Sequence, residues 1–129
     1  MLVVQAVSPR ILALYERDPE AVVWWAARVE CESAVVRLER QDMLAPKEAA
    51  IARRRLDVLA RSWQEVPALD GLRDHACRLL RVHTLRAADS LQLAAALSAA
   101  EQRPAALHFV CLDERLAFAA DREGFPVIQ

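Results

Sequence analysis

The sequence predicts a mixed α/β fold in which a parallel sheet is flanked by helices on both faces. Three short apolar runs are typical of buried strands: AVVWWAA (21–27), ALHFVCL (106–112) and the terminal FPVIQ. Longer amphipathic segments separate these runs, and strands that alternate with helices favour a three-layer α/β/α arrangement. The 129 residues, 55% hydrophobic and 27% charged, have the size and composition of one globular domain spanning residues 1–129.

The segments between the strands carry helical spacing and recognisable helix ends. After the first strand, the chain changes to helix near Glu30 in RVECESAVVRLERQ. The segment APKEAAIARRRLDVLARSW places Pro46 at a first helical position. Asp70 is the predicted N-cap of GLRDHACRLLRVH, and residues 85–100 form the next helix. The last helix, DERLAFAADREG, is closed by Gly124 as its C′ residue.

Composition excludes several function classes. With only two glycines, the chain has no glycine-rich loop of the kind that cradles nucleotide phosphates. Its three cysteines are widely spaced and indicate neither a disulfide framework nor a zinc site. The net charge of −1 gives no overall positive field, so any contact with RNA requires a local patch. The arginine run at 53–55 is one candidate for such a patch, and a solvated helix face is the alternative.

The first residues and the apolar runs of the sequence indicate the cellular compartment in which we expect the protein. MLVVQAVSPR carries no charged leader and no small-residue cleavage site. No apolar run reaches the roughly 18 residues of a membrane helix. We therefore expect a cytoplasmic protein that does not associate with a membrane.

Three acidic residues follow strands or begin helices. Glu30 begins the helix after the first strand, Asp113 directly follows the 106–112 strand, and Asp89 lies in the first turn of its helix. Helix capping explains each of these residues alone, but sites in parallel sheets form where strands end and helices begin. Gathered carboxylates repel one another unless a cation enters, and oxygen ligands suit Mg²⁺ or Mn²⁺. The pattern favours metal-assisted hydrolysis of a phosphodiester.

Two residues beside Asp89 have roles that the sequence leaves open or unassigned. Arg86, one turn earlier, either steadies the Asp89 carboxylate and contacts a phosphate or forms a plain surface pair at i, i+3 spacing. Ser90 has no His and acid partners in a nucleophilic arrangement, so we assign it no chemistry.

Three blocks together resemble the PIN-domain family, in particular the VapC-type toxins of bacterial toxin–antitoxin pairs. They are WWAARVECESAVVRLER, LRAADSLQLAAAL and FVCLDERLAFAADREGFPVI. The resemblance implies an endoribonuclease dependent on Mg²⁺ (or Mn²⁺) that hydrolyses RNA, forms a homodimer and pairs with a cognate antitoxin. Glu30, Asp89 and Asp113 match the family's metal-binding acids, with Arg86 in a supporting place. Cys111 stands where the family often has threonine or serine.

One acid of the family pattern is absent. Family members begin with a strand that ends in an aspartate, whereas this sequence has no acid before Glu16. One alignment makes MLVVQAV the first strand with its acid lost, but only 26 residues separate Leu2 from the end of AVVWWAA, and a β-α-β unit needs about 30 or more. We prefer the interpretation that residues 8–20 form a helix and that the first strand and its aspartate lie upstream of Met1. Either way, we expect reduced or absent nuclease activity.

Two other functions stay open on the sequence. The first is a catalytically inactive PIN-fold module that docks an antitoxin or dimerises. The second is an unrelated small α/β domain such as a receiver-like signalling module. That kind of module needs a lysine late in the chain, and the single lysine of this sequence is Lys47.

Overall fold

The computed structural model describes residues 16–129, and the fold over this range is mixed α/β, as the sequence predicts. The described chain contains five helices and four short strands. The helices are α1 (Ala27–Arg40), α2 (Pro46–Ala60), α3 (Asp70–Val82), α4 (Ala87–Ala99) and α5 (Glu114–Arg122); the strands are β1 (Val22–Trp24), β2 (Gln64–Val66), β3 (Phe109–Val110) and β4 (Val127–Ile128). The chain divides into two compact units. Unit 1 includes Trp25–Gln64, and unit 2 consists of Val22–Trp24 and Glu65–Gln129.

Unit 1 is built on the packing of α1 against α2. Val35 and Ala49 are fully buried at this contact, with Ala52 beside them. Around this small core, the Arg53 guanidinium donates from Nε to Glu32 at 2.8 Å and from Nη2 to Glu39 at 2.6 Å. These two carboxylates raise the pKa of Arg53, so the bridge between the helices stays charged. The Arg53 guanidinium is therefore bound to two carboxylates of unit 1, whereas the side chains of Arg54 and Arg55 are exposed.

Unit 2 has α4 as its central helix. The AADSLQLAAALSA sequence of α4 is apolar on most sides, and it packs against α3, α5 and β1. Leu79 of α3 and Leu93 of α4 are both fully buried. A helix that is apolar nearly all round belongs in an interior, and its small alanines let the neighbouring helices approach closely.

The C-terminal part of unit 2 is a β-α-β segment formed by β3, α5 and β4. The two strands pair in parallel, with the register Phe109↔Val127 and Val110↔Ile128. The rings of Phe109 and Phe125 lie 5.5 Å apart between centroids, which fixes the end of α5 against the strands. Gly124 follows the C-cap of α5 with φ of +98°, confirming the predicted glycine stop.

The strands are shorter and less paired than the sequence predicts. In the described residues, each sheet has two strands, β1 with β2 and β3 with β4. The three-layer parallel sheet expected from the sequence is thus seen only as the parallel β3–β4 pair. The 21–27 run, expected to be buried on both faces, contributes only three strand residues. Burial changes along this strand, since Val22 is 40% exposed while Trp24 is buried.

The start of α2 agrees with the prediction made from the sequence, whereas the start of α3 differs from it by one residue. Pro46 begins α2 as predicted, but α3 begins with Asp70 as its first helical residue, and Leu69 occupies the cap position. The Asp70 side chain pairs instead with Arg73, at 3.3 Å. The predictions for MLVVQAV and for residues 8–15 fall outside the described part. Of the helix predicted over residues 8–20, Glu16 and Arg17 are helical, whereas residues 18–20 are not. None of the helices over residues 16–129 combines the length and apolarity needed to span a membrane.

Candidate metal site

Asp113 lies where β3 gives way to α5. It is the N-cap of α5, and its Oδ1 accepts a hydrogen bond from the Leu116 N–H at 2.9 Å. Aspartate is among the best N-cap residues because its short carboxylate reaches the free N–H groups of the first turn. This hydrogen bond is the main cause that lowers the pKa of Asp113, with the charges of Arg115 and Arg86 acting in the same direction. Asp113 is therefore ionised at neutral pH.

Asp89 lies in the first turn of α4, as the sequence predicts. Its Oδ2 accepts a hydrogen bond from the backbone N–H of Arg86 at 3.2 Å, so the side chain turns back over the helix start. Asp89 is half-buried. The next residue, Ser90, is buried and donates from Oγ to the Ala87 carbonyl at 2.8 Å, which locks this turn of α4. Ser90 thus has a structural role.

The Cys111 thiol is influenced by the charges of both Asp89 and Asp113, and all three residues belong to unit 2. Its thiol is buried just after β3 and donates to the Asp113 backbone carbonyl at 3.1 Å. Burial is the main cause that raises the pKa of Cys111, and the negative charges of Asp113 and Asp89 both raise it further. Because charge interactions weaken with distance, both carboxylates lie within electrostatic reach of this thiol. We call this group the Asp89–Asp113 site.

Arg86 contributes to this site in two ways. Its backbone N–H holds the Asp89 carboxylate, and the charge of its exposed side chain lowers the pKa of Asp113. The contact with Asp89 is made through the backbone N–H, which makes it the donor of a helix cap. The guanidinium adds a positive charge beside two negative ones.

Glu30, the third predicted ligand, lies in a different unit from the other two. It is the fourth residue of α1 in unit 1, half-buried, and its backbone N–H bonds to the Ala26 carbonyl at 3.0 Å. Over residues 16–129, no group of three or more His, Cys, Asp or Glu side chains gathers as a metal site. Of the three predicted carboxylates, Asp89 and Asp113 thus belong to the same unit.

The donor set of the Asp89–Asp113 site fits a hard divalent cation. A carboxylate has about four acceptor positions, and the cap hydrogen bonds described for Asp89 and Asp113 each use one. Mg²⁺ binds oxygen ligands and commonly takes only one or two protein carboxylates, keeping several waters. The caps also orient the carboxylates before any ion arrives, which lowers the entropy lost on binding.

A groove on unit 2 was not anticipated from the sequence. Its volume is about 390 Å³, and it is lined by Val82, His83, Thr84, Glu114, Arg115, Phe118, Ala119 and Arg122. His83 forms part of its wall and is held by Glu123, with Nε2 and Oε1 2.7 Å apart. Arg78 reaches the other oxygen of Glu123 at 3.5 Å. We call this the α5 groove; the helical spacing of Arg115, Phe118 and Arg122 is the sequence signal for the shared helix face that lines it.

A second, smaller cavity in unit 2 is mainly apolar. It has about 250 Å³ and is lined by Trp24, Ala68, Leu69, Leu72, Arg73 and Leu91. The buried Trp24 forms part of its wall, whereas Trp25 is 57% exposed. The sequence assigned both tryptophans to one strand, but β1 ends at Trp24.

No protein-family model, curated protein or solved structure matches the chain. The resemblance to PIN domains therefore rests on the sequence blocks that carry it. A function for the protein has to be inferred from those blocks together with the Asp89–Asp113 site.

Proposed function

We propose that the protein is a ribonuclease of the PIN-domain, VapC-like type that hydrolyses RNA phosphodiesters with Mg²⁺ or Mn²⁺. The observation that carries the proposal is that Asp89 and Asp113 each lie at the start of a helix of unit 2, with their carboxylates held by cap hydrogen bonds. Two separate sequence blocks of the resemblance supply these aspartates, and each aspartate lies at a helix start. The finer fold that accompanies this proposal is the three-layer PIN arrangement, of which the parallel β3–β4 pair would be one edge.

Asp89 and Asp113 are the residues that would hold the ion, and the resemblance adds Glu30. When bound, a divalent ion activates water and offsets the charge that builds on the phosphodiester. The cap hydrogen bonds from the Arg86 and Leu116 N–H groups hold the two carboxylates in fixed orientations. Arg86, whose charge already acts on Asp113, would contact a phosphate of the RNA.

The biological setting of this proposal comes from the same resemblance. A VapC-like protein would be the toxin of a toxin–antitoxin pair, bound by a cognate antitoxin, and would form a homodimer in the cytoplasm. The aspartate that opens the family pattern is absent from the sequence, so this chain would cleave RNA more slowly than a complete family member. Loss of one ligand from so sparse a site weakens metal binding strongly.

A second candidate function is a PIN-fold binding module without catalysis. One observation favours it: both Asp89 and Asp113 already serve as helix-capping acceptors, a structural role that accounts for each without a metal. Such a module would dock an antitoxin or a second copy. The two candidates differ in whether the protein binds metal and cleaves RNA.

The decisive experiment combines Mn²⁺ titration calorimetry with cleavage of a labelled RNA by wild type and Asp89→Asn. Asparagine keeps an oxygen that can accept the Arg86 N–H but removes the charge. The matched control is Asp74→Asn, an exposed aspartate near the start of α3. We expect slow, Mn²⁺-dependent cleavage by wild type and Asp74→Asn, and at least about tenfold weaker Mn²⁺ binding with loss of cleavage in Asp89→Asn.

Two results would overturn the nuclease proposal. The first is a folded wild-type protein that neither binds Mn²⁺ nor cleaves RNA, which supports the binding module. The second is cleavage that persists unchanged in Asp89→Asn, which places the activity elsewhere or in a contaminant. Thermal unfolding of each variant checks that the fold is intact.

A further inference from the structure

The α5 groove exposes an aromatic ring that the core does not use. The Phe118 side chain is 66% exposed and Val82 on the opposite wall is 60% exposed. The opposite side of α5 is buried through Leu116, Ala117 and Ala120. Since these residues form the packing surface of α5, the Phe118 ring lies outside the core and stays available to a ligand in the groove.

The arginines of the groove lie on either side of this ring. Arg115, Phe118 and Arg122 follow i, i+3, i+7 spacing, so they form one stripe along α5 that extends about 10 Å at 1.5 Å per residue. The Arg122 guanidinium lies 5.9 Å from the centre of the Phe118 ring. The groove therefore offers a flat apolar face with a guanidinium one turn before it and another one turn after it.

The groove begins at the Asp89–Asp113 site. Glu114 and Arg115 are the first two residues of α5, directly after the cap Asp113. Arg115 lies in the first turn of α5 and lines the groove, and Asp113 caps that same turn. A strand of RNA whose scissile phosphate lies at the carboxylates would place an adjacent nucleotide in the groove.

We propose that the α5 groove is a nucleotide subsite for single-stranded RNA, in which one base stacks on Phe118 and the flanking phosphates contact Arg115 and Arg122. This inference rests on the proposed function, since it names how the substrate of that same site is held. Aromatic rings stack on any base, and guanidiniums bind phosphate oxygens in a planar, bidentate way. The groove volume of about 390 Å³ is in the range of ligand-sized clefts, roughly 300–1,000 Å³.

A nucleotide explains the groove better than a peptide. A docked amphipathic helix needs a run of apolar anchor pockets, but the large, exposed apolar side chains that line this groove are Phe118 and Val82. The Thr84 hydroxyl adds a donor and acceptor suited to a base edge or a 2′-hydroxyl. The wall opposite α5 is fixed, because the His83 ring is held by Glu123.

The test measures RNA binding by the full chain in the presence of EDTA, so that cleavage does not interfere. The probe is a short single-stranded RNA of mixed sequence with a fluorescein label, followed by anisotropy. The groove variants are Phe118→Ala, Phe118→Tyr and Arg122→Gln. The controls are Val58→Ala, which removes an equally exposed apolar side chain in unit 1, and Arg103→Gln, which removes an exposed arginine of unit 2 outside the groove.

We expect Phe118→Ala to raise the dissociation constant at least about fivefold, because base stacking is lost, while Phe118→Tyr restores binding. Arg122→Gln should weaken binding and reduce the salt slope by about one. The controls Val58→Ala and Arg103→Gln should bind as wild type does. Thermal unfolding of Phe118→Ala should match wild type, since the ring is exposed.

The outcomes separate this inference from the proposed function. If Asp89→Asn abolishes cleavage while Phe118→Ala and Arg122→Gln bind RNA normally, the subsite is wrong and the nuclease stands. If Phe118→Ala and Arg122→Gln lose binding but wild type never cleaves RNA, the subsite stands and the nuclease falls. If RNA does not bind, or if an acidic peptide binds in a Phe118-dependent manner in its place, the subsite is overturned.

Discussion

The Asp113 carboxylate caps α5 through a 2.9 Å hydrogen bond from the Leu116 N–H, in the same neighbourhood where it meets the charge of Arg86. The Asp113 side chain therefore serves as a helix cap and is also the proposed metal ligand. Two substitutions distinguish these two roles. Asp113→Asn keeps an acceptor for the Leu116 N–H but removes the charge, whereas Asp113→Ala removes both.

We expect both Asp113 variants to lose metal affinity but only one of them to lose stability. Asp113→Asn should unfold at nearly the wild-type temperature but bind Mn²⁺ at least about tenfold more weakly, by calorimetry. Asp113→Ala should lose metal binding and also unfold at a lower temperature, because the first turn of α5 loses its cap. Wild-type Mn²⁺ affinity in Asp113→Asn would assign this residue to capping alone.

Arg53 offers a test of the ion-pair bridge in unit 1. Its guanidinium joins Glu32 and Glu39 of α1 to α2, and networks of this kind stabilise more than isolated surface pairs. Arg53→Gln should lower the unfolding temperature by a few degrees, while Arg54→Gln, at the exposed neighbouring position, should leave it nearly unchanged. Differential scanning calorimetry of both variants makes the comparison. Equal unfolding temperatures would show that the bridge contributes nothing measurable.

The helix ends show which parts of the fold the sequence could predict. Pro46 at the start of α2 and Gly124 after α5 act through their own backbone preferences, and both predictions are confirmed. The 21–27 run was predicted as a longer strand because it is apolar and β-branched. Whether a residue joins a sheet depends on which backbone pairs with it, and that information lies in β2, about 40 residues away.

The candidate site, like the fold, could be predicted from the sequence only in part. Asp89 and Asp113 lie in the predicted places because first-turn acids follow from local helix chemistry. The ion pairs of Arg53 could not be anticipated, and the spacing of Arg115, Phe118 and Arg122 indicates a shared helix face but not a groove. The packing between helices decides which charged side chains form ion pairs and whether Phe118 is covered. Periodicity alone does not specify that packing.

His75 predicts a pH dependence of stability. The pKa of its ring is lowered from 6.5, chiefly by partial burial and then by the charge of Arg78, which outweigh the nearby Glu123. The neutral ring accepts a hydrogen bond from Arg78 Nη2 at 2.9 Å, a contact that protonation breaks. Below pH 6.5 the unfolded chain therefore takes up a proton that the folded chain resists, so the free energy of unfolding falls as the pH drops from 6.5 toward the lowered pKa.

His75→Gln should remove this component of the pH dependence. Urea unfolding at pH 7.5 and at pH 5.5 should show a smaller drop in midpoint for His75→Gln than for wild type. The control is His108→Gln, at an exposed histidine, which should keep the wild-type drop. The effect is small because His75 is only partly buried and water screens its charge. If both variants show the wild-type drop, His75 does not titrate differently in the folded and unfolded states.

The two glycines of the chain should respond to alanine with opposite signs. Gly124 has φ of +98°, and a Cβ added there would lie 3.1 Å from Cγ of Pro104, so Gly124→Ala should cost roughly 1–3 kcal/mol of unfolding free energy. Gly71, the second residue of α3, has open space around the position of a Cβ. Gly71→Ala should stabilise by about 0.4–1 kcal/mol, because alanine loses less backbone entropy on folding. Urea denaturation of both variants tests the pair, and a destabilised Gly71→Ala or a neutral Gly124→Ala would contradict the backbone conformation described for that glycine.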